Sequence, residues 1–135
     1  MATFLFKTEP SSYSYQDLVR EKRTVWQGVK NPVALKHLRT VAKGDTVLIY
    51  HTGSEKAVVG IARSVTGPYP DPALDDPRRT VVDVAPVRAL PRPVTLAQFR
   101  ADPLLARTEL VRLPRLSVMP LEDAQLARVE KLAQG

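Results

Sequence analysis

Two β-branched apolar runs, "DTVLIYHTG" over Asp45–Gly53 and "KAVVGIARSVTG" over Lys56–Gly67, are joined by the turn-forming stretch "HTGSEK". Each run has the length and composition of a buried strand. A link this short can only return the chain antiparallel to itself, so the pair reads as a β-hairpin. Other segments must be arranged around that hairpin. "TFLFKTEP" is a first strand that Pro10 ends, and "TVWQGV" is a second. "RTVVDVAPVRAL" is a strand bent near Pro86, and "LVRLPRLSVMP" holds one or two short strands.

Helices fall between and after these runs. Ser14 with Asp17 three residues on marks a helix start that should run to about Glu21. Asn31 followed by Pro32 opens a second helix, expected to continue to Gly44 with Leu35, Leu38 and Ala42 as its apolar stripe. Thr95 caps a short helix, and "LEDAQLARVEKLAQG" closes the chain as an amphipathic one, with Leu121, Ala124, Gln125 and Leu132 near one side. "PYPDPALDDP", with four prolines, is a rigid loop. Antiparallel pairs outnumber any possible βαβ unit. The expected class is therefore α+β: a small, strongly bent sheet or barrel with helices packed at its openings.

The chain's 135 residues suit one domain over 1–135. With no Cys, disulfides, thiolate metal sites and cysteine nucleophiles are excluded. The N-terminal apolar run stops at Lys7, which reads as neither a signal peptide nor a membrane span. A bacterial, cytoplasmic, monomeric protein is the expectation. Gly-rich phosphate loops, paired-His motifs and nucleophile elbows are absent from the sequence. No catalytic residue, cofactor or metal is assigned.

Net charge is +6. Residues 1–70 hold ten Lys/Arg against five Asp/Glu, whereas residues 71–135 hold ten against nine. Seven of the eight aromatics also lie in the first part. Nucleic-acid sites need both features, cations for phosphates and flat faces for bases. Candidate polar groups sit where strands end: Thr8 of "KTEP", Asn31 of "WQGVKN", and Tyr50, His51 and Thr52 of "YHTG". In a small barrel such ends converge at one opening. Trp26, the only Trp, either fills the core or walls a pocket there, with Gly28 at a bulge or close approach. Asn31 either caps its helix or reads a base edge. Lys7 and Glu9 share one side of their strand, as an ion pair or as acid and base.

The ordered segments "FLFKTEPSSYSYQDL", "VWQGVKNPVALKHLR", "KGDTVLIYHTG", "VVGIARSV", "YPDP", "RPVTLAQF" and "RLSVMP" resemble the EVE domain, a PUA-like family related to the YTH and ASCH domains. The resemblance runs from about Phe4 to Pro120. It implies a PUA-like bent β-barrel of five to six mainly antiparallel strands with flanking helices, which reads a modified base of DNA or RNA (methylated or hydroxymethylated cytosine, or methylated adenine) flipped into an aromatic-lined pocket. The pocket positions it implies are Lys7, Thr8, Glu9, Trp26, Val29, Asn31, Tyr50 and His51, supported by Tyr69, Asp71, Arg115 and Ser117. Lys30, Lys36, Arg39 and Lys43 are the expected phosphate contacts. The family's "GVRN" reads "GVKN" here, and the Trp expected before "VVDV" is Arg79 or Thr80. The alternatives are a DNA- or RNA-processing enzyme and a small-molecule-binding module on the same fold.

Overall fold

The computed structural model describes residues 1–135. In chain order it contains β1 (Thr3–Thr8), α1 (Tyr15–Glu21), β2 (Thr24–Trp26), α2 (Pro32–Leu38), β3 (Thr46–His51), β4 (Ala57–Ser64), β5 (Tyr69–Pro70) and β6 (Thr80–Thr95). These are followed by α3 (Leu96–Ala101), a 3-10 turn at Leu105–Arg107, α4 (Glu109–Arg112), β7 (Val118–Leu121) and α5 (Asp123–Gln134). The strands form a ladder in the order β2-β6-β4-β3-β1-β7, with β5 paired to β6 alone. Only β1 with β3 is parallel; the other pairings are antiparallel.

The ladder is strongly curled. Three strands separate β2 from β1 in it, which in a flat sheet would hold them roughly 19 Å apart at about 4.8 Å per strand. Yet the rings of Phe6 on β1 and Trp26 on β2 lie 5.4 Å apart. The sheet must therefore wrap round until its two sides meet through these rings, as the bent-barrel reading requires. The contact adds about 0.5–1.5 kcal/mol beyond the area it buries. Bulges supply part of the bend. β4 and β6 slip register beside Pro86, where Ile61 faces Arg88 and Ala62 faces Pro86, leaving Val87 unpaired and exposed.

Local signals in the sequence explain most element ends. Ser14 and Asp17 form a reciprocal capping box at α1, as do Thr95 and Gln98 at α3. Asn31 caps α2 and Pro32 takes its first position. At Gly60 an added Cβ would stand 2.5 Å from the Tyr15 ring, so only glycine lets α1 approach β4 this closely. The Tyr15 hydroxyl then donates to the Ile61 carbonyl at 2.8 Å.

Two expectations are corrected. Helix α2 ends at Leu38 rather than near Gly44. The Thr40 hydroxyl donates to the His37 carbonyl at 2.6 Å and Asp45 captures the Ala42 amide, so local bonds replace further helical turns. Val41 therefore fills the core, whereas Ala42 is exposed. "LVRLPRLSVMP" holds one strand, Val118–Leu121, within the one or two expected, and its Leu110–Arg112 is helical. Helix α5 buries Gln125, Val129 and Ala133, while Ala124 points to solvent. No helix is long and apolar enough to cross a membrane.

Candidate nucleic-acid interface

Because β1 and β3 run parallel, with Lys7 opposite Tyr50 and Thr8 opposite His51, the "KTEP" and "YHTG" ends emerge side by side. Two cavities open there, and Lys7 borders both.

The first, of about 400 Å³, is bordered by Trp26 together with Lys7, Thr8, Ser12, Tyr13, Glu21, Thr24, Val25 and Gln27. Trp26 serves both roles the sequence left open. It is 7% exposed and packs on Phe6, with Tyr13 edge-on at 6.4 Å, and its remaining edge faces the cavity. Tyr13 is held by its hydroxyl, which donates to Glu21 at 2.6 Å. Burial, reinforced by that carboxylate, pushes the phenol up to about 12. The Thr8 hydroxyl donates to the Tyr13 carbonyl at 2.7 Å, leaving its lone pairs free to accept. Gly28 has φ +85° with nothing within 4 Å of where a Cβ would sit. It supplies a left-handed backbone conformation and not a close approach.

The second cavity, of about 270 Å³, is bordered by Lys7, Tyr50, Thr52, Gly53, Lys56, Leu96, Arg100, Leu110 and Pro114. The Lys7 ammonium lies 5.7 Å from the Tyr50 ring centroid and donates to the Pro114 carbonyl at 2.8 Å. Burial lowers its pKa from the usual lysine value. The Lys7–Glu9 pair does not form. Glu9 instead accepts from the Ser11 amide at 3.2 Å and from the Ser11 and Thr52 hydroxyls. The Ser11 amide is the main reason its carboxyl sits below the usual range.

The remaining predicted residues are dispersed. His51 borders neither cavity: its Nε2 accepts from the Tyr15 amide at 3.0 Å and its Nδ1 meets Glu55 at 2.7 Å. The first contact requires a lone pair on Nε2, so the proton sits on Nδ1. Asn31 uses Oδ1 to accept from the Val33 and Ala34 amides at 2.8 and 3.1 Å, which is the capping role. It borders a third groove with Val33, Leu113, Pro114, Arg115 and Leu116. Ser117 accepts the Lys7 amide through its carbonyl at 2.9 Å. The Tyr69 hydroxyl bonds to Asp83, which pushes that phenol up to about 12. Asp71 is buried and accepts from the Ala73 amide.

Val29 is buried, and its carbonyl accepts from the Arg79 guanidinium at 3.2 Å. That brings Arg79 beside Lys30, Arg39 and Arg78 in a further cleft whose one carboxylate, Asp76, pairs with Arg78. Lys36 and Lys43 are exposed outside this cleft. With α2 ended at Leu38, Lys43 no longer shares a helix face with Lys36 and Arg39.

Ser12, Tyr13, Glu21, Thr24 and Gln27 were not singled out from sequence. Their one available signal was proximity to Trp26 and to the capped α1. What brings Ser12, Tyr13 and Glu21 to the cavity is the curl of the sheet, which is tertiary.

A model of the EVE domain family matches residues 2–132. Thymocyte nuclear protein 1 of Mus musculus is 30% identical, over 90% of this chain and 69% of that protein. Among solved structures, Rpa0253 from Rhodopseudomonas palustris has a TM-score of 0.94 at 34% identity, covering 99% of this chain and 94% of that one. Human THYN1 protein in complex with 5-methylcytosine containing DNA has a TM-score of 0.91 at 25% identity, covering 100% of this chain and 99% of that one.

Proposed function

Since the chain belongs to the EVE domain family, we propose that it binds DNA by seating a flipped modified cytosine, 5-methylcytosine first, in the cavity bordered by Trp26. The observation that carries this reading is the fold shared with the human protein in its complex with 5-methylcytosine DNA, joined to a cavity whose chemistry suits that base. Its volume of about 400 Å³ lies in the range of small-ligand sites. Trp26 and Tyr13 give it aromatic surface. Glu21 offers an acceptor for the exocyclic amine of cytosine. Gln27 offers an amide donor and acceptor for the rest of the edge. A carboxylate on the cavity wall also repels phosphate, so a neutral base edge enters here and the backbone stays outside. The cleft of Lys30, Arg39, Arg78 and Arg79 would hold phosphates without reading sequence.

The methyl group contributes little by itself. Burying it is worth about 0.8 kcal/mol, or roughly fourfold in affinity. Titrating oligonucleotides that carry either cytosine or 5-methylcytosine tests the reading. A preference of about that size is expected, and Gln27→Ala should weaken binding of both bases. Equal binding of the two, or an affinity indifferent to Gln27, overturns it.

A further inference from the structure

The second cavity differs in charge from the first. Lys7, Lys56 and Arg100 border it, and no carboxylate does. None of the protein's ion pairs engages any of these three cations. Glu9 binds Ser11 and Thr52 and Glu55 meets His51, while Glu109 at the start of α4 lies toward His37 at 3.4 Å with its Oε2 unbonded. Tyr50 is largely buried, but it borders this cleft and its hydroxyl donates to no other group of the protein. Three cations on one wall with no carboxylate among them repel one another, and the phenol beside them is a further free donor. That repulsion is removed by one tetrahedral anion, whose oxygens accept from the phenol and the three cations together. Leu96, Leu110 and Pro114 keep part of the wall dry, which strengthens such contacts.

We propose that this cleft is an anion site that takes a phosphate group, held by Lys7, Lys56, Arg100 and the Tyr50 hydroxyl. The geometry of the cleft stands alone; only the source of the phosphate rests on the DNA reading. Lys7 borders both cavities, so a strand with its base against Trp26 passes within reach of the cleft, and the phosphate is one of that strand's own.

The test uses the whole chain and three probes: inorganic phosphate, an abasic oligonucleotide, and an oligonucleotide carrying 5-methylcytosine. In NMR titrations, inorganic phosphate is expected to shift Tyr50, Lys56 and Arg100. Tyr50→Phe and the Lys56→Gln/Arg100→Gln double variant should abolish those shifts, while Gln27→Ala leaves them intact. A retained far-ultraviolet spectrum and melting temperature would show that the variants fold. With the abasic oligonucleotide, the double variant should flatten the salt dependence of binding by roughly 0.7–0.9 in slope, the value for one phosphate. Phosphate shifts without any change in that slope would assign the site to free phosphate instead of the strand, sustaining the anion site and removing its DNA source. Absence of phosphate shifts with an unchanged slope overturns the proposal. Weakened binding of the 5-methylcytosine oligonucleotide by Gln27→Ala is independent of both outcomes, so the base cavity and the anion cleft can fail separately.

Discussion

The two cavities share Lys7 and almost nothing else. Around Trp26 lie hydroxyls, an amide, one ammonium and one carboxylate. Around Tyr50 lie three cations and no carboxylate. Both are reached from the same strand end, where successive side chains leave on opposite faces: Thr8 borders only the first, while the Lys7 ammonium sits over Tyr50. One strand thus separates a place suited to a neutral, hydrogen-bonding edge from a place suited to negative charge. A nucleotide has both parts, and neither cavity alone would take all of it.

Trp26→Ala produces the largest effect. The ring is buried and joins the two sides of the curled sheet through Phe6, so its loss should cost about 3–5 kcal/mol of stability. Urea denaturation should show this, and both cavities should lose function together. If the variant is as stable as the parent, Trp26 belongs to the site alone and the division between the cavities deepens. Glu21→Gln comes next. It keeps an acceptor for Tyr13 but removes the charge aimed at the cavity. Hydrogen bonds to charged groups are worth about 1.5–3 kcal/mol, so binding of a methylcytosine oligonucleotide should weaken tenfold or more. An abasic strand should bind as before or slightly better, and equal losses for both strands would erase the contrast.

Asn31→Ala lies outside both cavities. Losing the cap of α2 should cost about 1 kcal/mol of stability, with base preference unchanged; altered preference would bring the third groove into the site. The smallest effect is on acid titration. Glu9 has its pKa lowered in the folded state, chiefly by the Ser11 amide. Its contribution is present above the unfolded value of 4.5 and is lost as pH falls through the lower, folded one. Melting temperature should therefore fall more steeply below pH 4.5 in the parent than in Glu9→Gln. Parallel curves would show that the turn joining the two cavities does not depend on this carboxylate.

Much of the fold was legible because its signals are local. Ser14, Asn31 and Thr95 act as caps through bonds to amides two or three residues away, and the hairpin of β3 and β4 needs only its own turn. The end of α2 was not legible, since it is decided by competition between helical bonds and the Thr40 hydroxyl. The site was legible only in part. Family motifs pointed to Trp26, Lys7 and Thr8, which the curl brings to one cavity. They also pointed to His51 and Asn31, whose polar atoms the fold engages itself. No local pattern distinguishes a His that binds a neighbouring amide from one that faces a ligand. Lys56 and Arg100 join Tyr50 from β4's approach and from α3, a meeting set by tertiary packing.

The place of β1 in the ladder has a consequence for synthesis. Its partners are β3, Thr46–His51, and β7, Val118–Leu121. A chain emerging from the ribosome can satisfy one edge of β1 early, but the other edge stays open until Val118–Leu121 has been made, more than a hundred residues later. During that interval "TFLF" presents an apolar, unpaired strand border, the kind of surface that invites association between nascent chains. Residues far from either cavity, those of β7, therefore decide how long the newborn protein is exposed to misassembly.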